Sequence, residues 1–144
     1  MIQVNSVTAA LHGLLGADPV LTSSGFHISE GEAFNDDINR TPWVGIYHGN
    51  LAIDPHTLGG AQPWQGELEL YLYVQEAGHG GGQEVTRALN AAQARVLDVL
   101  NANRTLLGSV QGIQALRLSP FQRDLREDAW MFSNEISLKT TLRG

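Results

Sequence analysis

Apolar side chains recur with two periods along this chain, and the switches between them mark out its elements. From Gln3 to Leu15, the residues Val4, Val7, Leu11, Leu14 and Leu15 fall on one helical stripe. Gly16 offers a stop, with Pro19 beyond it. From Gly66 to Glu76 the period becomes two. Leu68, Leu70, Leu72 and Val74 point one way, and Glu67, Glu69, Tyr71, Tyr73 and Gln75 the other. Glu84–Asn101 returns to helical spacing through Val85, Leu89, Ala92, Val96, Val99 and Leu100. Ala129–Leu142 alternates again, with Trp130, Phe132, Ile136, Leu138 and Leu142 on one side and Ser133, Glu135, Ser137 and Lys139 on the other.

Weaker patterns fill the gaps. Val20–Ile28 reads as a short strand broken by Ser23, Ser24 and Gly25. Ser29–Pro42 reads as an acidic exposed loop, and Trp43–His48 as a strand. Gly49–Trp64, with three glycines and two prolines, reads as a long loop of the kind that is usually functional or mobile. Gly78–Gly82 is a glycine-rich break, Val110–Leu118 a strand, and Pro120–Asp128 a polar exposed segment. The order of helix, strands, helix and strands predicts a single α+β domain over residues 1–144. It would have a mixed or antiparallel sheet with its two main helices on one face.

Composition agrees with a folded domain. The chain has 144 residues, 42% of them hydrophobic and 17% charged. At that length roughly 68–70% of the unfolded surface is buried on folding. No cysteine is present, which removes disulfide and thiolate chemistry. Neither a signal peptide nor an apolar run of roughly 20 residues is visible, so the expectation is a soluble protein made in the cytoplasm.

Charge changes the picture more. The formal net charge is −6, but residues 1–80 hold nine acids against one base, Arg40, and residues 81–144 hold eight bases against six acids. Seven of those eight bases are arginine, the residue suited to forked pairing at interfaces. Two readings stand side by side. The clustering is chance on a solvated surface, or one copy's acidic part meets a neighbour's basic part head to tail, a complementarity that sets register and orientation.

No motif carries catalysis. His79-Gly80-Gly81-Gly82 has the form of an esterase oxyanion tetrapeptide, but no G-x-S-x-G nucleophile elbow accompanies it. The glycines make no phosphate loop, since the only lysine is Lys139. His48, Asp54 and His56 do not match a compact zinc signature. Glu67 and Glu69 share a strand face roughly 7 Å apart. Such carboxylates serve acid–base chemistry in glycosidases, or solubilise an exposed face. An acidic chain without a basic stripe does not bind nucleic acid tightly. The interface candidates are Asp54, His56 and Trp64 in the long loop, Glu67, Glu69, Tyr71 and Tyr73 on the polar strand face, and Arg123 and Arg126 in the late polar segment. Trp64 leads them, because buried aromatic anchors carry much interface energy.

The succession IQVNSVTAALHGLL, WVGIYHG, a long loop, GELELYLYVQEAG, GGQEVTRALNAAQARVLDVLN and a closing FSNEISLKTTLRG resembles the tail terminator (tail completion) proteins of long-tailed bacteriophages. The likeness is one of architecture and segment order over nearly the whole chain. It implies a virion protein of the tail or neck, forming a homohexameric ring. That ring would cap the tail tube, stop its polymerisation and meet the head-side connector, while DNA passes the lumen without specific binding. It implies no active site, cofactor or metal, and places the loop Gly49–Trp64 against a neighbour or the tube. Two other readings remain at this point: a different neck or head–tail connector subunit, or a small hydrolase or metal-binding enzyme built on Glu67, Glu69 and a loop histidine.

Overall fold

The computed structural model describes residues 4–31, 41–78, 83–126 and 129–144, except for the side chains of residues 120–126 and 129. Three α-helices pack on a five-stranded sheet. In chain order the elements are α1 (Val4–Gly16), α2 (Pro19–Ser23), β1 (His27–Glu30), β2 (Trp43–Ile53), β3 (Gln65–Gly78), α3 (Gln83–Ala102), β4 (Gly112–Arg126) and β5 (Ala129–Arg143), with a 3-10 turn at Pro55–Thr57. The strand order is β1-β2-β3-β5-β4. β1 runs parallel to β2, and every other pairing is antiparallel. This is the α+β mixed sheet that the periodicities predict.

One hydrophobic core joins the helices to one sheet face. Val7, Leu11 and Leu15 from α1 and Leu89, Ala92, Val96, Val99 and Leu100 from α3 meet Leu68, Leu70, Leu72 and Val74 of β3 and Phe132, Ile136, Leu138 and Leu142 of β5. α1 lies over β1 and β2, and α3 over β3 and β5. A polar pin crosses the same layer. Asn134, buried on β5, donates from Nδ2 to Gln93 Oε1 of α3 at 2.6 Å.

Three segments differ from the sequence reading, each for a physical reason. Val20–Ile28 is not an interrupted strand: Pro19–Ser23 is the short helix α2, and β1 starts at His27. Asp18 caps α2 by accepting the Leu21 N–H at 3.0 Å, and Pro19 sits at the first position, where its missing N–H costs nothing. Gly25, at φ +81°, then turns the chain out. The Asp18 carboxylate also receives Arg95 of α3, with Nε 3.0 Å from both oxygens, so one buried acid ties α2 to α3. The exposed loop predicted for Ser29–Pro42 yields its first two residues to β1; residues 32–40 lie outside the described part.

Gly49–Trp64 is a loop only from Asp54 onward. β2 continues to Ile53, with a bulge between His48 and Leu51. Gly49 marks the bulge because a Cβ there would lie 2.7 Å from Tyr71 Cε2. Pro120–Asp128 is not a loop either. β4 runs to Arg126, and its register shifts between Ser119 and Gln122, the place on an outermost strand where proline is tolerated. Arg123 and Arg126 therefore belong to a strand, facing Phe132 and Ala129 of β5 in register. The tetrapeptide His79–Gly82 falls outside the described residues.

Candidate functional site

Among the described residues, the helices cover one face, and the other sheet face and the two sheet edges are what the fold presents. The open face is built from odd-numbered positions. In register, Glu69 lies beside Lys139, Tyr71 beside Ser137, and Tyr73 beside Glu135. On the flanks Tyr47 stands next to Tyr71, and Arg117 next to Ser137. The four strand residues Glu67, Glu69, Tyr71 and Tyr73 therefore do share one face, each half-buried.

Their hydrogen bonds tie acid to phenol. Tyr71 Oη donates to Glu69 Oε2 at 3.0 Å, and Ser137 Oγ donates to Glu135 Oε1 at 2.9 Å. The bond to the Glu69 carboxylate holds the Tyr71 phenol above its ordinary pKa, with desolvation and the charges of Glu69 and Glu135 adding to it. Burial, helped by the charge and hydrogen bond of Glu135, pushes Tyr73 up to about 12. Both phenols thus remain protonated donors throughout the physiological range. The cluster opens into a shallow depression with Arg117 and Lys139 on its rim. A mixed-charge face of this kind offers hydrogen bonds and ion pairs to a protein surface. At one end the same face closes over. Trp43, Gln75, Met131 and Ser133 are all buried there, and His27 stacks on Trp43 at 5.3 Å between ring centroids.

The loop residues separate. Asp54 caps the 3-10 turn by accepting the His56 N–H at 3.0 Å, and both residues are exposed. Asp54 and Glu67 line a second depression with Gln65, Gln111 and Thr141. Trp64 is half-buried and packs against the hydrophobic core, while its carbonyl accepts the Gly144 N–H at 2.8 Å. Much of its ring thus serves the chain's own packing. His48 is exposed and stacks on Tyr47. Among the described residues, no group of three or more histidines and acids gathers in metal-binding geometry. No described helix is long and apolar enough to cross a membrane.

The sheet edge at β4 escaped the sequence reading. Leu116 and Leu118 lie in register with Leu138 and Ile136, so they belong to the core face, yet they are 42% and 46% exposed. The alternation in Ala115–Leu118 signals a strand, but it cannot say that the helix layer stops short of it. A groove of about 350 Å³ opens there, with Leu97, Leu100 and Arg104 of the α3 side facing Ile113 and Leu116 of β4.

The whole arrangement has a counterpart among solved structures. It matches a chain of the "Virion of native gene transfer agent (GTA) particle" with a TM-score of 0.56 at 16% identity, over 95% of this chain and 94% of that one. The two chains share a fold from end to end. No protein-family model and no curated protein matches the sequence.

Proposed function

We propose that this chain is a structural subunit of a phage-type virion, acting as a tail terminator. Copies join into a ring on the finished tail tube, stop further tube growth and offer the opposite rim to a head-side connector. The observation that carries this reading is the end-to-end fold shared with a virion chain. The segment order that resembles tail terminators supports the finer assignment.

Physical considerations point the same way. A head-to-tail contact between unlike surfaces closes into a ring when the rotation between copies allows it. The two sheet edges are unlike surfaces of this sort. The tip of the β2–β3 hairpin exposes Leu58, a suitable contact for the tube or a neighbour. A net charge of −6 per copy favours a lumen that repels the DNA backbone.

The test is to add purified chain to polymerising tail tube protein and view the products by electron microscopy. Rings at one tube end, with tube growth arrested, are expected. Tubes that grow to the same lengths with and without the chain, and carry no cap, would sink the proposal.

A further inference from the structure

From this ring reading, on which the inference rests, we infer which surfaces meet: the outer edge of β4, with the groove beneath α3, seats the β1 edge and α1 of the next copy.

Among the described residues, nothing pairs with the outer side of β4. β4 is outermost in the sheet and 15 residues long, and its core-face residues Leu116 and Leu118 stand exposed because α3 packs on β3 and β5. Long edges with exposed apolar side chains invite another strand, and stable proteins cover or blunt them. β1 is the opposite outermost strand, and its four residues fit the stretch of β4 before the bulge near Pro120.

Orientation follows from topology. β1 runs with β2, and β3, β5 and β4 then alternate, so β4 runs opposite to β1. Continuing the sheet into a second copy, same face up, sets its β1 antiparallel to β4. The second copy's α1 lies over its β1 and β2, in the layer that holds α3. It therefore comes down over Leu116, Leu118 and the groove. The outward side of α1 shows Asn5, Ser6, Ala9, His12 and Gly13, of which Ser6, Ala9 and Gly13 are small enough for close approach.

Charge selects the same pairing. The half of the chain containing β1 has nine acids and one base, and the half containing α3 and β4 has eight bases and six acids. At the two edges themselves, exposed Glu30 ends β1 on its core-face side, exposed Arg104 lines the β4 groove on that same side, and exposed Arg117 stands on the open-face side of β4.

The chain lacks cysteine, which makes trapping clean. Chains carrying Glu30→Cys, which shares the core face with Leu118, are mixed with chains carrying Leu118→Cys under mild oxidation, alongside light scattering of the wild type, Leu118→Lys and Arg117→Glu. The expected result is a disulfide between unlike chains. Leu118→Lys should weaken association by about tenfold or more, the worth of one buried leucine, with an unchanged circular dichroism spectrum. Leu118→Cys chains that crosslink mainly to each other would show a symmetric β4–β4 contact and overturn the inference. A wild type that assembles while Leu118→Lys and Arg117→Glu assemble equally well would also overturn it, leaving the ring reading intact. A wild type that stays a single subunit, alone and with tail tubes, would remove both.

Discussion

At the scale of single residues, two acids titrate in opposite senses. Asp18 is buried, and the Arg95 guanidinium holds its carboxyl below the usual aspartate range, with the Leu21 N–H adding to the effect and burial opposing it. A depressed folded-state pKa contributes stability above the unfolded value, about 3.9, and loses it as pH falls through the folded value. Asp18→Asn should therefore cost about 2 kcal/mol at pH 7, from a lost ion pair and a weakened cap. That cost should shrink in urea titrations run below about pH 4. Glu76 is the reverse case. Burial raises its pKa, so its ionised form weighs against the fold at neutral pH. Glu76→Gln should raise the denaturation midpoint at pH 7, and the gain should fade as pH falls and the wild-type carboxyl protonates. A gain that persists unchanged in acid would mean packing, not charge, is responsible. Leu106 and Leu107 form a further residue-scale tension. Both have positive φ, 48° and 59°, and Leu106 is fully buried while Leu107 is 68% exposed. Left-handed backbone costs a leucine about 1–2 kcal/mol, and only Leu106 recovers this through burial. Leu107→Asn should keep the turn and raise the melting temperature by about 2–4 °C.

At the scale of elements, the long periodic segments were legible and the irregular ones were not. α1, α3, β3 and β5 follow from spacing alone, because each buries one face against one core. β2 and β4 were cut short at Gly49 and Pro120, residues that punctuate loops in most contexts. In this fold both sit at bulges, where a strand tolerates them. Bulges arise from pairing with a partner strand, and a single segment's sequence does not show that partner. α2 was missed because five residues give too short a period, although Asp18-Pro19 is a cap signature. Among the candidate residues, Glu67, Glu69, Tyr71 and Tyr73 were correctly placed on one face by alternation. The exposure of Leu116 and Leu118 depends on where α3 lies, which is tertiary information. The Gly49 bulge is open to test through Tyr71. Gly49→Ala should destabilise the chain by crowding that ring, and Tyr71→Ala should cost less in the Gly49→Ala background than in the wild type. Additive costs in that double-mutant cycle would show that the two positions do not touch.

At the scale of the whole molecule, the separation of charge and the apolar groove make different demands on assembly, and salt distinguishes them. If copies join through the acidic and basic edges, charges steer the encounter over a Debye length of about 10 Å at 0.1 M salt, which shrinks to about 3 Å at 1 M. The groove closes later, when the surfaces are already in register. Its contribution is desolvation of apolar side chains, which salt does not screen. Raising NaCl across that range should thus slow association markedly and leave dissociation nearly unchanged, as expected for charges that govern on-rate and register. Stopped-flow light scattering for association and dilution-jump experiments for dissociation would separate the two. If dissociation accelerates with salt by as much as association slows, ion pairs rather than apolar contact hold the copies together. The charged open face around Glu69, Glu135, Arg117 and Lys139 would then become the better seat for the neighbour.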